Sequence, residues 1–306
     1  MIRQADINLL RENFWDHLIT CACVKINTMK ISAWVTVSDL ISTNQTLFEK
    51  VYDLIDNKQT MFHQLSHDYI FQSLKKAGVD GMELLIPLYT TDDNLKEIKK
   101  IITKNDMPVL SVHQSLTSML NINIAEIIRL CSIARLFSAK VITLHAGSLN
   151  KKLFDKRFIN TLNNLQKEYS ITFTIENMQR YPFPFPNPSY TYEKNEFITI
   201  LKDTGLSVTF DTTHLAQVGD DITSFYLANK NVIKNIHFSD YKKSWLNTNL
   251  HFPDNMHLAL GTGNLPIKSF VKTLKKEDYR GLITMEINTG LEGLCRSAKL
   301  IRSYYK

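Results

Sequence analysis

The sequence predicts an α/β fold, a (β/α)8 barrel formed as a single domain, and three observations predict it. Short runs rich in Val, Ile, Leu, Phe and Thr recur along the chain, each bounded by turn or helix signals: Val109–His113, Val141–His145, Ile171–Glu176, Leu206–Asp211, Ile233–His237 and Leu282–Glu286. Helical patterns separate these runs, the alternation expected of a parallel sheet with crossover helices. His113, His145, Glu176 and Asp211 also fall about one βα unit apart, close to the roughly 30 residues that ~250 divided by eight gives. An open doubly wound sheet is the alternative, but it would not bring the ends of all its strands to one point.

Residues 1–28 are expected to be an N-terminal extension, helical because Leu9, Leu10, Phe14 and Leu18 make an apolar stripe, and residues 29–306 are assigned to the barrel. The first strand is Ile31–Val37. A long connection follows, with a helical pattern from His63 to Lys76 that stops at Gly78. Gly81–Ile86 is the second strand, with Glu83 inside it, and Asp92–Lys104 the next helix. The third strand ends at His113, and a helix over Ile124–Ser138 leads to the fourth, Val141–Leu144, which opens onto His145. Helix Phe154–Tyr169 precedes the strand ending at Glu176. Asp211, His237 and Glu286 end strands six, seven and eight, and Leu291–Tyr305 closes the chain.

Side chains alternate faces along a strand, so residue parity sorts each run into two faces. Glu176 shares its face with Thr174 and Thr172, Asp211 with Thr209, Glu286 with Thr284, His145 with Thr143, His113 with Ser111, and His237 with Asn235. The other faces are mostly apolar, as in Phe173 and Ile175 or Val208 and Phe210. The expectation is an apolar outside packed on helices and a polar interior whose chemistry converges at the carboxyl ends of the strands. Two loops there exceed what a barrel requires: the Pro- and aromatic-rich Gln179–Glu193, and Asp240–Pro266 with its Gly261-Thr262-Gly263 turn. Both are candidate walls around a substrate.

Composition narrows the classes. A hydrophobic content of 44% and a charged content of 22% are those of a globular protein. The net charge of +6 is spread over helices rather than gathered in a stripe, which argues for a solvated surface rather than a nucleic-acid groove. The four cysteines show no paired metal spacing, consistent with reduced thiols in a cytoplasmic protein, and no apolar run approaches the ~20 residues of a membrane span.

Glu176, Asp211, His237 and Glu286 together offer three carboxylates and an imidazole, a mixture suited to Mn, Zn or Co rather than to an all-oxygen calcium cage. Without a cation, three carboxylates facing one interior would repel one another.

At this level of detail the chain resembles the xylose isomerase-like TIM barrel superfamily, which holds sugar and sugar-phosphate isomerases and epimerases together with the endonuclease IV type of apurinic endonuclease. The resemblance rests on Val112-His113, Leu144-His145-Ala146-Gly147, Ile175-Glu176-Asn177, Phe210-Asp211-Thr212-Thr213-His214, Ile236-His237-Phe238-Ser239-Asp240, His257-Leu258-Ala259-Leu260-Gly261-Thr262-Gly263 and Thr284-Met285-Glu286. For the isomerase and epimerase branch it implies that Glu176, Asp211, His237 and Glu286 hold one divalent metal. Adjacent carbonyl and hydroxyl oxygens of a sugar, sugar phosphate or related polyol would chelate that metal, and Glu176 and Glu286 would move a proton through a cis-enediolate. His113, His145, His214 and His257 are then substrate-binding residues or ligands of additional metal, with Lys242 or Lys243 as further substrate contacts.

For the endonuclease branch the same histidines match positions of a trinuclear zinc site. One carboxylate of that site is replaced here by Asn255, and the tyrosine expected after His113 is absent. The leading expectation is therefore a metal-dependent sugar isomerase or epimerase with a small-molecule partner, and a homo-oligomer is compatible with it. The alternatives are an apurinic endonuclease and a barrel that binds a metabolite or partner without turnover.

Overall fold

In the computed structural model, residues 29–41, 65–115, 123–145, 155–178, 198, 201–202, 204–243 and 256–306 are described. The 1–28 extension, the aromatic loop after Met178 and Asn255 lie outside them.

Eight parallel strands close on themselves in sequence order, with β1 paired to both β2 and β8. They are β1 Lys30–Thr36, β2 Gly81–Ile86, β3 Val109–Gln114, β4 Val141–His145, β5 Thr172–Glu176, β6 Ser207–Asp211, β7 Ile233–His237 and β8 Leu282–Met285. The helices are α1 Val37–Leu40, α2 His67–Ala77, α3 Asp92–Lys104, α4 Ile124–Phe137, α5 Lys156–Tyr169, α6 Thr212–Gln217, α7 Ile222–Asn229, α8 Ile267–Lys276 and α9 Gly290–Tyr305. The expected single-domain barrel is thus the observed one. None of the described helices is long and apolar enough to cross a membrane.

Local chemistry sets the boundaries where they differ from the sequence reading. Val37 belongs to α1, not β1, because Asp39 reaches back to the Thr36 amide at 2.9 Å and turns the chain. α2 begins at His67 rather than His63 because Ser66, in extended conformation, caps the Tyr69 amide. Ser138, expected to be the last residue of a helix, instead leaves α4 in the left-handed conformation at φ 61°. Asp155 caps α5 by accepting from the Arg157 amide, so that helix starts after it. Four helices, α1, α6, α7 and α8, have no counterpart in the sequence reading.

The outward faces of the strands carry Phe173, Ile175, Val208, Phe210, Ile236 and Met285, all fully buried beneath the helices. The closure between the first and last units is polar. Arg302 of α9 donates to the Gly78 carbonyl at 2.8 Å and to Asp80 at 2.6 Å, and Asp80 in turn accepts the Ile31 amide at 2.7 Å. Gly78 has φ 93°, a left-handed conformation that favours glycine, and a Cβ there would crowd the Arg302 side chain at 3.0 Å.

The barrel interior departs from the usual Val, Ile and Leu filling. Ser111, Thr143, Thr174, Thr209, Asn235 and Thr284 are all fully buried there, as is Glu83. Thr209 donates to Thr174 at 2.6 Å, and Thr284 donates to Asn235 at 3.0 Å. The parity expectation of a polar interior is met by a hydrogen-bonded floor, on which the strand-end residues stand.

Candidate metal centre

The eight residues singled out from the sequence converge above this floor. Their ligand atoms form adjoining sets whose members lie within 4.8 Å of one another: Glu176, Asp211, His237 and Glu286; His113, His145 and Glu176; and Asp211, His214 and His257. A further set is Glu83, His113 and His237. Lys242 and Lys243, expected as substrate contacts, are exposed.

Asp211 shows how the local sequence builds the site. It ends β6 and also caps α6, where its Oδ1 accepts from the His214 amide at 2.7 Å and the Thr213 hydroxyl at 3.0 Å. That one carboxylate oxygen starts the helix and places His214 a turn along. The other oxygen, Oδ2, is buried with no hydrogen-bond partner. Asn177 locks the neighbouring strand ends together, accepting the Asp211 amide at 2.7 Å and donating to the Asp211 carbonyl at 3.0 Å.

Backbone carbonyls fix two of the histidines. His113 donates its Nδ1–H to the Gln114 carbonyl at 2.8 Å, which leaves Nε2 facing Glu176 Oε2 at 3.4 Å. His214 donates its Nδ1–H to the Asn177 carbonyl at 2.8 Å. Such outer partners are what orient metal-binding imidazoles. His145 has a buried Nδ1 without a partner, and its Nε2 lies 3.7 Å from Glu176 Oε2. His257 holds a left-handed backbone at φ 53°, a conformation that costs a non-glycine residue energy and recurs at functional sites. Its ring meets that of His214 edge to face, with centroids 5.5 Å apart.

His237 stands at the centre. Its Nδ1 lies 2.8 Å from Glu176 Oε1 and 2.8 Å from Glu286 Oε2, while its Nε2 lies 2.7 Å from Glu83 Oε1. One N–H cannot serve two carboxylates, and Glu286 Oε2 is left without a hydrogen bond. Burial works against charge on this ring, but Glu83, Glu176 and Glu286 outweigh it and raise its pKa well above the ordinary value. Burial likewise works to raise the Glu176 carboxyl, yet His237 and the neighbouring histidines hold it well below the usual range. His145 goes the other way, pushed down to about 3 by burial and then by the adjacent His113.

The donor set fits a divalent cation. It combines carboxylate oxygens and imidazole nitrogens, it contains oriented histidines, and it leaves Asp211 Oδ2 and Glu286 Oε2 buried without hydrogen bonds. Glu286 follows β8 rather than ending it, at the rim of the barrel. Glu83 is the residue the sequence reading placed in a strand but not in the site. The available signal was a lone carboxylate in the otherwise apolar run Gly81–Ile86.

A family model described as the xylose isomerase-like TIM barrel matches residues 71–304. The chain belongs to this family. An uncharacterised protein of Methanocaldococcus jannaschii is 33% identical over 156 residues, which span 48% of this chain and 55% of that protein. Several proteins of known structure resemble the fold. A D-tagatose 3-epimerase-like protein matches with TM-score 0.60 and 18% identity, covering 90% of this chain and 97% of that one. A 3-keto-D-glucoside 4-epimerase from E. coli gives 0.58 and 14%, covering 90% and 100%. A family 2 AP endonuclease from Brucella melitensis gives 0.57 and 15%, covering 87% and 96%. At these identities the likeness is one of fold.

Proposed function

We propose that this barrel is a metal-dependent isomerase or epimerase acting on a sugar, sugar phosphate or related polyol. The observation that carries the reading is the pair of carboxylates, Glu176 and Glu286, at equal 2.8 Å distances from His237 Nδ1 in one ligand set with Asp211. A bound Mn, Zn or Co ion would draw electron density from a substrate carbonyl and lower the pKa of the adjacent C–H. Glu176 at the end of β5 and Glu286 just after β8 would take that proton and return it to the neighbouring carbon or the opposite face, through a cis-enediolate. His113 and His145 face Glu176 Oε2 through Nε2 at 3.4 and 3.7 Å, and His145 keeps Nδ1 without a partner, for a substrate hydroxyl. Epimerase relatives in the fold support a small sugar-like ligand.

A second reading is favoured by one specific observation: His113 and His145 share Glu176, while His214 and His257 share Asp211, so three ligand sets adjoin. That arrangement suits two or three zinc ions and phosphodiester hydrolysis at abasic DNA. A barrel that binds without turnover is the third reading, and the intact Glu176 and Glu286 argue against it.

The test is proton exchange. The Mn-loaded chain, incubated in heavy water with a panel of ketoses, aldoses and their phosphates, is expected to place deuterium on the carbon next to the carbonyl. Cleavage of an abasic-site duplex with no exchange on any sugar would replace this reading by the hydrolytic one.

A further inference from the structure

The floor of the barrel holds a carboxylate for which the proposed chemistry has no direct use. Glu83 is fully buried, and both of its oxygens are engaged. Oε1 accepts from His237 Nε2 at 2.7 Å, while Oε2 accepts from Ser111 at 2.6 Å, from Asn235 Nδ2 at 3.0 Å and from Thr143 at 3.3 Å. Three donors saturate Oε2 and the His237 ring is held on Oε1, so the carboxylate is fixed in place beside His113 and His237, with which it forms one set. The register between β2 and β3 shifts between Met82 and Glu83, the kind of irregularity that re-aims a side chain.

We propose that Glu83 is a positioning residue: it keeps the Nε2 proton of His237 and thereby reserves Nδ1 for the metal shared by Glu176, Asp211 and Glu286. This rests on the metal reading of that set. The argument is one of donors and acceptors. Ser111, Thr143 and Asn235 supply the donors that Oε2 requires, so the carboxylate is locked in place and its remaining oxygen can only accept. His237 Nε2 must then donate, and the nitrogen facing the three upper carboxylates is the one free to bind metal. Elsewhere in the site backbone carbonyls do this work for His113 and His214 through Nδ1. Glu83 does it from the opposite nitrogen, which turns His237 to present Nδ1.

Glu83→Gln tests the idea with nearly the same volume. Asn235, Ser111 and Thr143 would draw the amide oxygen to the Oε2 position, which leaves the amide NH2 facing His237 Nε2. The proton then belongs on Nδ1, where metal must bind. Long-range proton–nitrogen NMR on the imidazoles, with and without zinc, reads the tautomer directly, and competition with a chelator reads affinity. In the parent chain the Nε2 proton is expected to persist in the zinc-loaded form. In metal-free Glu83→Gln the ring proton is expected on Nδ1 and must move to Nε2 before zinc binds, with zinc affinity at His237 down about 10–100-fold and the number of zinc ions unchanged. Parental affinity and tautomer in Glu83→Gln would overturn the inference. Zinc on Nε2 in the parent chain would overturn it even if the variant fails to fold. No zinc effect on His237 of the parent chain would instead remove the metal reading, and this inference with it.

Discussion

Glu286 Oε2 stands 2.8 Å from His237 Nδ1 and still lacks a hydrogen bond, because the single N–H there is directed at Glu176. A carboxylate left this way inside a site is available for a cation or a substrate proton. Replacing Glu286 by Gln keeps the shape and removes the charge. The account expects turnover to fall by about 10²–10⁴, the range for a lost acid or base, with Tm nearly unchanged. Heavy-water exchange and thermal melts measure the two effects, and retained exchange would take Glu286 out of the proton path.

His237 sets the pH dependence. Its pKa is raised above the ordinary 6.5 by Glu83, Glu176 and Glu286 against the effect of burial, so the metal-free ring keeps its proton near neutral pH. The stability this pairing contributes is fully present below the unfolded value and is lost as pH rises through the raised one. Metal must displace that proton. Zinc affinity should therefore climb by about tenfold per pH unit until the raised pKa is passed, with one proton released per ion, as a titration in a weakly buffered indicator solution would record. A flat affinity between pH 6 and 8 would contradict the protonated ring.

His257 separates the two enzymatic readings. It is half-buried and belongs to the Asp211 and His214 set, not to the set around His237. His257→Ala should leave metal binding at His237 intact and reduce sugar exchange only modestly. Loss of all metal-dependent activity together with one zinc per chain would favour the hydrolytic site.

Asp240 is predicted to matter for stability. Its carboxylate accepts four backbone amides, those of Tyr241, Gly261, Gly263 and Leu265, at 2.9 to 3.0 Å. These bonds fold the turn that carries His257 back onto β7, and a Cβ at Gly263 would overlap the same carboxylate. Asp240→Ala leaves several donors unsatisfied and should cost about 3 kcal/mol or more, a drop of roughly 10 °C in Tm. Calorimetry on the metal-free chain would show it.

Much of this was legible in the sequence because strands in a barrel write their chemistry at their ends. Val-, Ile- and Phe-rich runs terminating in His113, Glu176, Asp211 or His237 fixed both the period and the inward face, and the structure places those residues together. What escaped was set by contacts distant in sequence or by short helices, except α8, whose apolar period at Ile267, Phe270, Val271 and Leu274 is legible. α6 has only six residues and no apolar period, so nothing but Asp211 as its cap announces it. The roles of Glu83 and Asp240 depend on partners across the barrel or along a turn, such as His237 for the one and Gly263 for the other.

The most direct test of the central claim is the metal content of the chain purified without added metal, measured by elemental mass spectrometry beside His237→Ala. The account predicts about one Mn, Co or Zn per chain, lost in the variant. Two or three zinc ions per chain, or one that persists without His237, would contradict it.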